Sequence, residues 1–205
     1  FNKNEKNQVN YTDIFQNEIM PLKALSDLKN HGIFKDIKIK SDIIEKINNE
    51  ASNKFYKVNR SEKYIKINQK KKNDGIYIAR LFSPEKEIKI INEIIFNNKI
   101  IDITKSYFNC EPIFHSSQIW WTFPFYDKNN NLQNPPGNEF GFHYDVDDLR
   151  FLKLFIYLSD VKKENGPHIY IKNSGKKTFN EHLNRRITDE FAYKNYKDNL
   201  IEIIG

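Results

Sequence analysis

The stretch from residue 139 to 175 limits what this 205-residue chain can fold into more than any other. It opens with Glu-Phe-Gly-Phe-His-Tyr-Asp and closes with Gly-Pro-His-Ile-Tyr-Ile-Lys-Asn-Ser-Gly. Between them lie an apolar run, Phe151–Leu158, and a polar turn, Ser159-Asp160-Val161-Lys162-Lys163-Glu164-Asn165-Gly166-Pro167. A short apolar run, a turn rich in Gly, Asn and Pro, and a second short run, His168–Lys172, read as strands joined by a loop. His143-Tyr144-Asp145 precedes them on a segment that also reads as extended. Alternate side chains of a strand share a face, so His143 and Asp145 point the same way, one imidazole and one carboxylate within reach of one ion.

Such a pair, joined by a second His from elsewhere in the fold, makes the facial triad that holds Fe(II) and leaves positions open for other ligands. His-x-Asp alone is a weak motif, because it recurs by chance in many chains. Its setting adds to it. The order His143-x-Asp145, the strand Phe151–Leu158, the Leu-Ser-Asp-Val … Glu-Asn-Gly-Pro turn and the Ile-Lys-Asn-Ser-Gly-Lys exit resemble the phytanoyl-CoA dioxygenase family. The resemblance covers roughly residues 115–205 and is thin before that, where only Leu28-Lys29-Asn30-His31-Gly32-Ile33 looks like the family's opening. It implies an α+β fold, a double-stranded β-helix of the jelly-roll or cupin kind backed by N-terminal helices. It also implies Fe(II) as metal, 2-oxoglutarate as co-substrate, and hydroxylation of a small molecule.

Composition bounds the rest. The length suits one domain with a full core, and 16 Phe with 11 Tyr favour a folded chain. We expect a single domain over 1–205, with 1–114 a mainly helical support and 115–205 the β-helix core. The net charge of +6 rests on 33 basic against 27 acidic residues, spread through a chain rich in Lys, Asn and Ile. No basic helix or aromatic-basic motif singles out a nucleic-acid surface, and 69–75, with its three lysines, reads as a solvated loop. A single cysteine, Cys110, excludes an internal disulfide and suits the reducing cytoplasm. No apolar run approaches the ~20 residues of a membrane span.

Along the chain, Ile14, Phe15, Ile19, Leu22, Leu25 and Leu28 keep a helical spacing interrupted by Pro21, with a stop at His31-Gly32 and a strand from Ile33-Phe34. Ser41-Asp42 caps a helix that buries Ile43, Ile44, Ile47 and Ala51. Short strands follow over 53–82. Ser83-Pro84-Glu85 starts a helix with Ile88, Ile91, Ile94 and Ile95 as its stripe, and 99–108 reads as a second helix. Gln118–Phe123 is a strand ending at Pro124. Residues 127–138 form a polar loop that is either a lid over a pocket or a plain surface connection. One turn over 180–184, a helix capped by Thr188 as far as Tyr196, and a strand over 200–204 complete the reading.

Several site residues follow only from the resemblance. The family's second His, and the Arg that pairs with the far carboxylate of 2-oxoglutarate, lie beyond a segment like Leu200–Gly205. A chain opening at Phe1 and closing inside an apolar strand is therefore expected to be part of a longer one; the competing account is a degenerate metal site on a non-catalytic ligand-binding module. His168, in a core strand, is the best substitute for the missing His. His31, His115 and His182 read as local, and Arg185 and Arg186 as residues of a helix surface. Lys153, in the strand after the metal pair, is placed to meet a 2-oxoglutarate carboxylate or else faces outward. Gln118 and Trp120 share one face of their strand and either line the same pocket or pack the barrel.

Overall fold

The computed structural model describes residues 14–134, 140–145, 147–174 and 186–204. Residues 14–20 and 33–40 lie side by side, joined by an isolated bridge between Phe15 and Ile39 and by the Gln16 and Lys40 amides, which donate to Lys38 and Ile14 carbonyls. The strand expected from Ile33 is reduced to that bridge. Helix α1 (Pro21–His31) starts at the proline rather than running through it, because the first helical position needs no N–H and favours the fixed φ of Pro. It ends where expected, at Gly32 with φ 77°, in the left-handed region that glycine reaches without strain.

Helix α2 (Ser41–Ser52) buries Ile43, Ile47 and Ala51, one stripe at a spacing of four. Ser41 lies inside the helix, and Lys40, whose side chain does not cap it, stands at the cap position. Strands β1 (Tyr56–Val58), β2 (Tyr64–Ile65), β3 (Ile78–Phe82) and β4 (Gln118–Thr122) form an antiparallel sheet in the order β2-β1-β3-β4. Three of its four strands come from before residue 115, so the largest sheet crosses the expected division between support and core.

Ser83 does not cap a long helix. Its amide donates to Ser117 O at 3.1 Å, prolonging the β3–β4 ladder, and its φ of 51° is left-handed. The Pro84 signal therefore yields only a short 3₁₀ turn, Pro84–Lys86. Helix α3 (Lys89–Ile95) starts later, and α4 (Asn98–Phe108) follows it as the expected second helix, with the Asn97 side chain accepting from Lys99 N at 3.0 Å.

Beyond β4 the elements are small. Strands β5 (Phe125–Tyr126), just before the expected loop, and β6 (Leu132–Gln133), inside it, make a hairpin. Asp127 ties it, accepting from the Asn129 and Asn131 amides at 2.9 and 2.8 Å. Strand β7 (His168–Ile171) pairs with β8 (Leu200–Ile203), and Thr188 caps α5 (Asp189–Tyr196) through its hydroxyl oxygen. The turn expected over 180–184 falls outside the described residues. Among those described, the three antiparallel sheets do not close into a barrel.

Phe151–Leu158, read as a strand, joins no ladder among the described residues. It is held instead by side chains: Asn48 Nδ2 donates to Leu158 O at 2.6 Å, and Tyr157 Oη donates to Ile203 O while accepting from His168 N, both at 2.9 Å. Ile156 and Leu158 pack against the core.

That core lies between the helices and one face of the four-stranded sheet, with Tyr56, Phe15, Ile47 and Ile88 its largest fully buried side chains. The C-terminal strands dock beside α1: Asn173 N donates to His31 O at 3.1 Å, and a Cβ added at Gly32 would strike Tyr170 Oη. Gly32→Ala should lower stability by more than about 1 kcal/mol in denaturant unfolding, through both the clash and its left-handed φ. Adding Tyr170→Phe should recover part of that loss. Equal stability of the single and double variants would show that the hydroxyl contributes nothing.

Candidate functional site

The site is built on the sheet face turned from the core. Along β4, Ile119 is buried and Trp121 half-buried, whereas Gln118 and Trp120 are exposed. In register with them on β3 stand Leu81 and Ala79 on the core face, and Phe82 and Arg80 on the other. The period of two thus puts Gln118 and Trp120 on one face, as the sequence suggested.

Phe155 meets this face. Its ring lies edge-on to Trp120, centroids 6.1 Å apart, and is stacked on His168 at 5.3 Å with 25° between planes. Partial desolvation holds the His168 imidazole below its ordinary pKa; the neighbouring His143 pushes it further down, and the Asp145 carboxylate pulls it up. His168 thus lies within the electrostatic neighbourhood of the His-x-Asp pair.

His143 and Asp145 do converge: Nε2 of the one lies 3.5 Å from Oδ1 of the other, with both side chains about one-third exposed. His143 Nδ1 lies 2.8 Å from Gly141 O. A carbonyl can only accept, so Nδ1 carries the hydrogen, and whenever the ring is neutral the lone pair is on Nε2. The other carboxylate oxygen, Asp145 Oδ2, accepts from Lys153 Nζ at 2.7 Å, and the same ammonium reaches Asp147 Oδ2 at 2.6 Å. Burial opposes the charge on Lys153, but its bonds to the two carboxylates outweigh this and raise its pKa.

Donor atoms held at about 2.1 Å and at right angles around one ion stand about 3 Å apart. The His143–Asp145 spacing and the mixed imidazole–carboxylate pair therefore suit two of the ligands of a first-row divalent metal such as Fe(II). Among the described residues, no three His, Cys, Asp or Glu side chains gather into a group able to hold a metal. His168 stands near the pair without completing such a group, and His182 lies outside the described residues. His115 and His31 are held locally, the former 3.0 Å from Ser116 Oγ and the latter 3.6 Å from Asp27.

Three residues of this neighbourhood escaped the sequence reading. Asp147 continues the alternation 143, 145, 147, a signal that the strand pattern itself contained. Phe155 keeps the same alternation after Lys153. Arg186, read as part of a helix surface, instead pairs with His143 in an isolated antiparallel bridge, flanked by Ile187 N donating to Phe142 O at 3.1 Å. No local pattern announces that pairing.

Comparison with models of protein families, with curated proteins and with solved structures finds no match for this chain. No helix among the described residues is long and apolar enough to cross a membrane.

The lowered His168 pKa carries a sign. The folded state favours the neutral ring, so its contribution to stability is present above the unfolded pKa of 6.5 and is lost as pH falls through the lower folded value. His168→Phe keeps a ring against Phe155 and removes the titration. Its stability, measured by urea unfolding between pH 7 and 5, should fall less steeply than that of the parent; equal slopes would contradict the assignment.

Proposed function

We propose that this chain is a domain of an Fe(II)- and 2-oxoglutarate-dependent dioxygenase that hydroxylates a small molecule, on a double-stranded β-helix fold like that of the phytanoyl-CoA dioxygenase family. The observation that supports it is the convergence of His143 Nε2 and Asp145 Oδ1 at 3.5 Å, beside an open wall made by Trp120 and Phe155. In this reading His143 and Asp145 hold the metal. The remaining donor, and the cation for the far carboxylate of the co-substrate, are implied by the resemblance alone.

When bound, iron would supply the coupling of 2-oxoglutarate decarboxylation to insertion of one oxygen atom of O₂ into a substrate C–H bond. The chain's own work is to bind and orient. Gly141 O fixes the His143 tautomer and the direction of its lone pair. Gln118, Trp120 and Lys153 are assigned to the co-substrate side: an amide and an ammonium to meet carboxylate oxygens, and an indole to keep water from that wall. Lys153 Nζ lies 2.7 Å from Asp145 Oδ2, which supports its assignment beside the pair. With one free cysteine, Cys110, we place the protein in the cytoplasm.

Purified protein should convert 2-oxoglutarate to succinate and CO₂ only when Fe(II) is added, and His143→Ala or Asp145→Ala should bring that conversion to background. A small molecule bound equally well with and without metal, and no succinate formed, would instead favour a non-catalytic binding module.

A further inference from the structure

We propose that the open face of the four-stranded sheet binds a nucleotide-like small molecule, a flat ring joined to a phosphate. The inference rests on the reading above only in calling this ligand the substrate; its binding needs no metal. The basis is one row of side chains across the sheet. Tyr64 on β2 stands opposite Lys57 on β1, Lys57 opposite Arg80 on β3, and Arg80 opposite Trp120 on β4. Lys57 lies between buried Tyr56 and Val58, and Arg80 between buried Ala79 and Leu81, so the alternation of each strand turns the row away from the core. Two cations thus stand side by side with an aromatic residue at each end. The sequence hid the row, because its members come from four separate strands.

The rings are open to solvent. Tyr64 is 56% exposed, Trp120 47% and Phe155, which meets Trp120 edge-on at 6.1 Å, 54%. Aromatic surface of this kind favours a flat partner that can stack on it. Adjacent strands lie about 4.8 Å apart, so a ring seated on Trp120 carries a substituent a few bonds away over Arg80 and Lys57. A guanidinium matches two oxygens of one anion at once. A second cation beside it favours the more highly charged anion, and a phosphate monoester carries about two negative charges. Lys57 Nζ already donates to Glu62 Oε1 at 2.6 Å. The Glu62 side chain stands at the rim, 87% exposed, and an ammonium has more than one hydrogen to give. Glu62 therefore competes with an incoming anion for Lys57 without closing the row.

The test measures binding of AMP, adenosine and ribose 5-phosphate to the full chain by calorimetry, without metal. AMP should bind at least about tenfold more tightly than either of the others, each of which offers one half of the recognised pair. Arg80→Gln should bring AMP down to the affinity of adenosine and leave adenosine unchanged. Trp120→Leu should weaken AMP and adenosine and leave ribose 5-phosphate unchanged. Glu62→Gln, a change at the exposed rim, should tighten AMP and not adenosine, and it reads the same row should either of the other variants fail to fold. AMP bound no better than adenosine, or Arg80→Gln and Glu62→Gln both without effect, would overturn the proposal. So would a single-stranded oligonucleotide bound where AMP is not, which would assign the face to a polymer. AMP bound without metal, and no succinate formed once Fe(II) is added, would remove the dioxygenase reading and leave this one standing. Succinate formed by a protein that does not bind AMP would do the reverse.

Discussion

The antiparallel ladder between Ile78–Phe82 and Gln118–Thr122 divides the molecule in two. Because side chains alternate along each strand, four of its five register pairs send Ala79, Leu81, Ile119 and Trp121 into the core and Arg80, Phe82, Gln118 and Trp120 to the opposite face. A slip of one residue would exchange the two sets, exposing Ile119 and burying Gln118, so burial of the apolar set fixes the register. The candidate site inherits this choice: Trp120 meets Phe155, Phe155 meets His168, and His168 senses His143 and Asp145.

Where sequence and structure agree, the deciding forces are local or periodic. Helix α2 was visible in Ile43, Ile47 and Ala51, α5 in its Thr188 cap, and the end of α1 in Gly32, because each signal acts within a turn or two of the chain. Where they part, a distant partner decides. Ser83-Pro84 has every local mark of a helix start, yet the Ser83 amide is already taken by Ser117 across the ladder. Phe151–Leu158 has the composition of a strand, but composition does not name a neighbour, and the segment is held by Asn48 and Tyr157 side chains instead.

The site shows the same division. His143 and Asp145 were legible because their spacing is two residues, and so, in principle, was Asp147. The Lys153 contacts were not, because six and eight residues of turning chain separate it from its partners and only the fold decides whether it faces them or solvent. Arg186 lies further still from His143 in sequence. The barrel and the iron rest on resemblance, which spans the strands after residue 115 and is silent on how β1 to β3 extend the sheet.

The charge balance of the pair gives the arrangement its sense. Two carboxylates, Asp145 and Asp147, with no cation between them would repel and would each gain from any metal offered. With Lys153 between them, the repulsion is removed by a group that cannot leave, since it is tethered to the chain. On the function proposed, a divalent ion would find one imidazole and one carboxylate oxygen 3.5 Å apart, and a fixed positive charge behind the carboxylate. That charge would weaken binding of the metal itself but attract an anionic ligand arriving next to it. A site arranged in this way would trade metal affinity for a local field that favours carboxylates, the balance that the proposed pairing of a metal with an anionic co-substrate requires.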